Sequence, residues 1–478
     1  MDYNRDYFPG DWEGQSPTQG PAKKRPGGVS FGALISVVCI AVAIAVLLTF
    51  VVTSAANRYY YSQELARQQE VIDQLRGTSE STGVDFEQLE MLSKIYEHYS
   101  YYAGKVSEEE LLTAVMKAYA EATGDAYAEY YTEEEFEALT AEREGARDGI
   151  GVSVIQTQVT VAGADYAVFQ IIAIYEGGPA ASSSLRVGDY INSVKTDGVY
   201  RSVSELGYTK ALDLMQGESG TQAEFTVFRA AGNGYESLPF SITRGAFESR
   251  SVTYRISKTD PTVGIVHIST FDMTTPTQFK EAVKSLQADG IARFVFDLRN
   301  NPGGELQSIK AVLTYFLQEG DLILSAIDRE GRVSSSYVAE EMRFEGDYEP
   351  CNVARGEIGM FADLDMVVLC NENTASAAEV FTATLRDYEL ATVVGETTFG
   401  KGIMQSFIPL SVFGNYKGYA KMTTYAYVTK CGVTYHEIGI TPHVQVSLSP
   451  EALQYNFYVL PEELDDQLQA AVAHLTQN

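Results

Sequence analysis

Hydrophobic and polar positions divide the chain into stretches of different period. One stretch has no period: FGALISVVCIAVAIAVLLTFVV, from Phe31 to Val52, carries no charge. At about 1.5 Å per residue it is long enough to cross a bilayer core of about 30 Å as a helix. Lys23, Lys24 and Arg25 precede it, so the positive-inside rule predicts a cytoplasmic N-terminus and an extracytoplasmic remainder. The competing reading is a cleaved signal peptide with Ser54, Ala55 and Ala56 at the cut. Against it, the run is longer than a usual signal core and a long tail rich in Gly, Pro, Asp and Gln comes first. The pattern therefore predicts a disordered tail over 1–29, a transmembrane helix over 30–54 and a polar linker over 55–82. Within the linker, YSQELARQQEVIDQLR is helix-prone and reads as a stalk, a self-association segment or a plain spacer.

Residues 83–145 show helical spacing. DFEQLEMLSKIYEHYSYY is one such stretch. SEEELLTAVMKAYAEAT opens with Ser107 as N-cap and Glu110 three residues on, and GDAYAEYYTEEEFEAL carries a second cap at Thr132. Over 146–247 the period shortens. DGIGVSVIQT, YAVFQIIAIY, AEFTVFRA and SLPFSITRG read as strands set between glycine turns, as in a small β-rich domain. Over 248–450 strands and helices alternate: TVGIVHISTF, TPTQFKEAVKSLQADG, ARFVFDL, GELQSIKAVLTYFLQ, DMVVLC, SAAEVFTATLRDY, LATVVGE. The near-continuous apolar strands predict a parallel sheet buried on both faces. Residues 451–478 form a C-terminal helical segment, in which PEELDDQLQAAVAHLTQN reads as a final amphipathic helix. The fold class expected is multidomain α/β: a core with a parallel-rich sheet, an inserted β-rich domain, flanking helices and one N-terminal transmembrane helix.

Composition narrows the function. The 478 residues exceed one ordinary core, and 45% hydrophobic content allows most of them to fold. The net charge of −29 repels phosphates and argues against nucleic acid as a partner. No metal-spaced Cys/His cluster, phosphate loop or dinucleotide fingerprint is present, so no metal or cofactor is expected. Cys39 lies in the apolar run. Cys351, Cys370 and Cys431 are too few for a disulfide framework and read as free or buried thiols.

Ligands of an open parallel sheet collect beyond the carboxyl ends of its strands. Three strand ends carry unusual sequence: RNNPGG after FVFDL, NENTAS after MVVLC, and TTFGKGIMQ after ATVVGE. If these strands are neighbours, the loops meet. Ser376 then sits at a strand-to-helix turn, and the next amide, on Ala377, faces the site from a helix N-terminus. Such a donor suits an oxyanion, although a serine there also reads as a simple N-cap. Gly304, opening the next helix, would offer a second free amide. Residue types offer two kinds of base. His436 and His443 follow the last core strand, whereas Lys401 lies between Gly400 and Gly402 with no acid in its own loop to keep it charged. Burial would lower the lysine's pKa far enough for it to act as a base. Gln405, four residues on, shares its face in a regular element.

Taken together, NNPGG, NENTASAAEV and GKGIMQ resemble the carboxyl-terminal processing proteases, the PDZ-containing serine peptidases of family S41 with a Ser–Lys–Gln site. GITPHV is similar to the family's GITPDV, with His443 in place of the usual acid. GDAYAEYYTEEEFEAL is similar to its DPYTxYLTPEE segment. GIGVSV and then GGPAASSSLRVGDYINSV are similar to its PDZ carboxylate-binding loop and its SPAxxAGLxxGDxIxxV stretch, without the usual AGL glycine. The resemblance spans about residues 83–475. It implies Ser376 as nucleophile, Lys401 as general base, Gln405 as its positioner, and Gly304 and Ala377 as the oxyanion hole. It also implies that Gly149, Ile150, Gly151 and Val152 receive a peptide C-terminus as an added strand. The expectation is a membrane-anchored extracytoplasmic endopeptidase acting on protein or peptide substrates with free C-termini, gated by its PDZ domain, with the flanking helices as a candidate homodimer contact. The rival expectations are a catalytically silent PDZ scaffold and a Ser–His hydrolase using His436 or His443.

Overall fold

The computed structural model describes residues 86–143, 146–232, 234–248 and 250–477. The tail, transmembrane helix and linker expected over 1–82 lie outside the described residues. No described helix is long and apolar enough to cross a membrane. The chain divides into units at Leu89/Glu90, a boundary inside the helix Phe86–Tyr99, and all elements labelled below belong to the second unit.

In the helical lead-in, α1 (Glu108–Ala122) starts at the expected capping box: the Glu110 amide donates to Ser107 Oγ and the Ser107 amide to Glu110 Oε2. A short strand β1 (Glu129–Tyr131) and α2 (Glu133–Arg143) follow. The periodicity marked no strand here. Three residues are too few to show alternation, and β1 exists through a distant pairing described below.

The β domain runs from β2 (Ala146–Gly149) through β3 (Val152–Val161), β4 (Ala164–Ile174), β5 (Tyr190–Thr196), β6 (Val199–Ser202), α3 (Tyr208–Met215), β7 (Gln222–Ala231) and β8 (Gly234–Thr243) to β9 (Gly245–Glu248). Its sheet has the order β3-β4-β5-β7-β8 with β6 on β5, and Phe169, Ile171, Ile191 and Phe225 fill its core. β2 and β9 pair antiparallel, Gly149 opposite Gly245, so the domain hangs on a two-stranded ribbon between α2 and the core. β3 is an edge strand, paired only with β4 among the described residues.

The core comprises β10 (Val252–Ile256), β11 (Val263–Ile268), α4 (Thr275–Ala288), β12 (Arg293–Asp297), α5 (Leu306–Thr314), β13 (Leu322–Ile327), β14 (Val333–Val338), β15 (Asp365–Cys370), α6 (Ala377–Asp387), β16 (Thr392–Gly395), β17 (Ile403–Pro409), β18 (Tyr419–Val428), β19 (Val444–Gln445) and α7 (Asp466–Gln477). The sheet order is β10-β11-β12-β15-β16-β19, parallel except for the antiparallel edge strand β10. Both faces are covered, as the apolar strands require. Phe279 of α4 and Phe381 of α6 pack with Phe296 of β12 on one face, and Leu468, Ala471, Val472 and Leu475 of α7 close the other. A second, antiparallel sheet joins β1-β18-β13-β14, with β17 also on β18. β1 enters it with Glu129 opposite Lys421, and Phe136 of α2 stacks on Tyr419 at 3.7 Å.

Candidate active site

β12, β15 and β16 lie side by side, parallel, so their C-terminal loops meet. Side-chain amides tie the first two loops. The Asn300 amide donates to Asn371 Oδ1, and Asn371 and Asn373 each donate a side-chain N–H to Asn300 Oδ1. Fully buried Asn301 accepts from the Gly303 amide and, through its carbonyl, from the Ala375 amide. The third loop joins through the Phe399 amide, which donates to the Thr374 carbonyl.

Ser376 precedes α6 with φ 56° and ψ −120°, a conformation that costs a non-glycine residue strain and that clusters at functional turns. Its backbone is engaged while its Oγ makes no capping bond: its amide donates to Glu379 Oε2 and its carbonyl accepts from the Glu379 and Val380 amides. Gly303 (φ 103°) packs against this turn so closely that a Cβ there would lie 2.7 Å from Ser376 Cβ and 2.8 Å from the Ala377 nitrogen. Gly304 does not open a helix, contrary to expectation. It bridges to Phe271, a Cβ there would lie 2.1 Å from the Phe271 carbonyl oxygen, and α5 begins at Leu306. The amides of Gly304 and Ala377 nonetheless donate no hydrogen bond among the described residues. Both line a cavity of about 500 Å³ together with Ser376, Lys401, Gln405 and Tyr427.

Lys401 is half-buried in that cavity wall. Gly400 (φ 89°) lets its loop approach the Glu437–Gly439 backbone, and a Cβ on Gly402 would lie 2.8 Å from the His436 nitrogen. Burial lowers the Lys401 pKa, nearby Lys421 pushes the same way, and Glu379 opposes them. Its Nζ stands 4.1 Å from the ring centroid of Tyr127, and no hydrogen bond joins it to Ser376 Oγ. Among the described residues no hydrogen bond joins Gln405 to the lysine, contrary to expectation. Its Nε2 donates to Thr423 Oγ1 at 3.2 Å. The shared-face argument fails because Lys401 precedes β17, and a register shift at Met404/Gln405 turns Gln405 toward its cross-strand neighbour Thr423.

Glu379 is a residue that the sequence reading missed. It is fully buried and accepts four hydrogen bonds: Thr398 Oγ1 at 2.5 Å, the Gly400 and Lys401 amides at 2.7 Å each and the Ser376 amide at 2.9 Å. Burial raises its pKa, and the four donors act against that rise. One carboxylate thus clamps the serine turn to the lysine loop. The signal was available, since Ser376 and Glu379 have the same S-x-x-E spacing as Ser107 and Glu110. Arg299 was missed as well. It lies buried between Asp297 and Asp465, with bonds of 2.7–2.9 Å to both, and anchors the start of the first loop.

The histidines have other contacts. His436 Nδ1 lies 3.2 Å from the Gly400 carbonyl, His443 Nδ1 accepts from the Val393 amide, and neither hydrogen-bonds Ser376. Cys351 and Cys370 are buried free thiols and Cys431 is an exposed one. Gly149, Ile150, Gly151 and Val152 are not at the serine. They form the β2–β3 turn, where the Gly151 carbonyl accepts from the Tyr175 amide and the Ile150 carbonyl from the Ala180 amide. A Cβ on Gly151 (φ 77°) would lie 2.9 Å from Gly178 Cα. The edge of β3 runs beside α3, whose Tyr208 hydroxyl donates to the Thr157 carbonyl. A cavity of about 640 Å³ lies between Ser153 of β3 and Ala375, Phe399 and Lys401 of the core.

Residues 262–446 match the model of Peptidase family S41. This stretch runs from β11 to β19 and holds all three loops, and the chain is similar to carboxy-terminal processing proteases. The carboxy-terminal processing protease CtpA of Bacillus subtilis is 26% identical over 371 residues, covering 77% of this chain and 71% of that protein. A "Probable CtpA-like serine protease" of Staphylococcus aureus is 27% identical over 372 residues, covering 78% and 67%. Among solved structures, a candidate S41 protease from Bacteroides fragilis shares the fold at 16% identity and TM-score 0.50, covering 80% of this chain and 96% of that one.

Proposed function

We propose that the chain is a serine endopeptidase of the carboxyl-terminal processing type, using Ser376 as nucleophile and Lys401 as general base. The observation that carries this reading is one cavity holding a serine on a strained turn, two unpartnered amides and a lysine whose pKa burial depresses. Neutral Lys401 takes the hydroxyl proton as Ser376 Oγ attacks the scissile carbonyl. The oxyanion that forms accepts from the Gly304 and Ala377 amides, a reading supported by their lack of any other acceptor among the described residues. Protonated Lys401 then gives its proton to the leaving amine. Water attacks the acyl-enzyme, Lys401 takes a proton from it and passes that proton to the departing Ser376 Oγ, which releases the acid product and restores free serine and neutral lysine. Gln405 acts on the lysine indirectly, by way of its bond to Thr423.

We assign the β domain as a PDZ domain. Its β2–β3 turn and the open edge of β3 beside α3 supply what a peptide C-terminus needs, main-chain partners along an edge. The cavity between Ser153 and Lys401 connects that domain to the catalytic loops and supports gating of one by the other. Phe31–Val52 anchors the protein, with the catalytic unit extracytoplasmic. Exposed Met91, Leu92, Ile95 and Tyr99 support pairing of two copies through the flanking helices.

The test uses the purified full-length chain beside its Ser376→Ala, Lys401→Ala and Lys401→Arg variants, with casein as an unfolded substrate. The parent cleaves and all three variants fail, the arginine because a guanidinium does not give up its proton near neutral pH. Cleavage by Ser376→Ala overturns the assignment. A parent that stays silent even with C-terminal peptides present points to the scaffold instead.

A further inference from the structure

The stretch Asp125–Tyr131 lies far outside the matched region 262–446, yet it reaches the catalytic lysine. β1 pairs with β18, and Tyr127, two residues before β1, sets its ring face 4.1 Å from Lys401 Nζ. A chain of bonds fixes the ring. The Tyr127 amide donates to Asp125 Oδ1 at 2.9 Å. Asp125 also accepts from the Thr423 amide at 2.7 Å and from Thr423 Oγ1 at 3.0 Å, and Thr423 Oγ1 accepts from Gln405 Nε2. The Tyr127 hydroxyl has no hydrogen bond among the described residues, so its ring is what meets the lysine.

Resting on the reading of Lys401 as general base, we propose that Tyr127 is a positioning residue for that base: its ring face holds the Lys401 ammonium and releases the neutral amine to Ser376. The physical ground is selective. An aromatic face attracts a cation through its quadrupole and offers a neutral amine almost nothing. A protonated lysine therefore stays on the ring. A deprotonated one gains more by accepting a hydrogen bond from Ser376 Oγ, which Lys401 does not do in the ring-bound position. Gln405, through Thr423 and Asp125, positions the ring and hence the lysine.

Other charges face Lys401 from the elements around it. Lys421 of β18 disfavours the ammonium and is itself paired with Glu129 of β1 at 2.6 Å. Glu379 of α6 favours the ammonium, and the Tyr427 hydroxyl of β18 donates to the Lys401 carbonyl. Tyr127 contributes twice, because its bulk excludes water and its face attracts the cation. A leucine keeps the bulk and loses the face.

Competitive labelling of amines in the full-length chain, followed across pH on the peptide bearing Lys401, reads that lysine's pKa without needing turnover. Tyr127→Leu should lower it by about 0.5 to 1 unit, while Tyr127→Phe, which keeps the face, holds it at the parent value. The pH at which casein cleavage half-develops should move with it in the leucine variant. Tyr127→Met, flexible and without a ring, repeats the test should leucine disturb folding, which thermal unfolding reports. An unchanged or raised Lys401 pKa in folded Tyr127→Leu or Tyr127→Met overturns the proposal. Cleavage that survives Ser376→Ala overturns the parent reading instead, whatever the labelling gives.

Discussion

Glu379 shows how much the site depends on one side chain that does no chemistry. Its two oxygens receive four donors from the serine turn and the lysine loop, so the spacing of nucleophile and base is set by a single carboxylate. Glutamine cannot replace it, because its NH2 would face donors. Glu379→Gln should lose about 1 to 3 kcal/mol of stability in denaturant unfolding. It should also move the rising limb of the cleavage profile to lower pH, since a negative charge that favours protonated Lys401 is gone. Arg299 behaves differently. Its guanidinium holds the buried Asp297 carboxyl below the usual carboxylate range. Arg299→Met strands two carboxylates and should cost about 3 to 5 kcal/mol in the same unfolding experiment. Because the folded-state pKa of Asp297 is depressed, its contribution is present above the unfolded value of about 3.9 and is lost as pH falls through the folded one. Parent stability should therefore drop in acid below about pH 4.

At the scale of elements, what a local pattern encodes could be read and what a distant partner imposes could not. The strands FVFDL, MVVLC and ATVVGE announced themselves by continuous apolarity, and their adjacency brings together the three loops singled out for chemistry. Ser376, Ala377 and Lys401 accordingly share one cavity. β1 escaped because its three residues become a strand only against β18, some 290 positions later, and Tyr127 escaped with it. Gln405 was aimed at the wrong neighbour, since a register shift between β17 and β18 is invisible in one strand's sequence. The start of α5 was placed two residues early, at Gly304, whereas Gly304 makes a close approach to Phe271 and the helix begins at Leu306. That approach leaves no room for a methyl group. Gly304→Ala should abolish casein cleavage by displacing the amide assigned to the oxyanion hole, whether or not thermal unfolding shows a loss of stability.

For the whole molecule, the ribbon of β2 and β9 carries the β domain as an insertion ahead of the core, and a shared cavity brings its β3 strand to the lysine loop. Peptide binding there should depend on a free carboxylate. In calorimetry, a peptide ending in a free acid should bind more tightly than its C-terminal amide, and Gly151→Val, which collides with Gly178, should weaken the acid selectively. Equal binding of acid and amide would remove the β2–β3 turn from the recognition scheme. The central claim concerns the proton of Ser376, and the pH profile of casein cleavage by the full-length chain tests it most directly. The account predicts a single rising ionisation with its midpoint below lysine's ordinary value of about 10.4, absent from Lys401→Ala. A midpoint near about 6.5 that persists in Lys401→Ala and disappears on replacing His436 or His443 would contradict it.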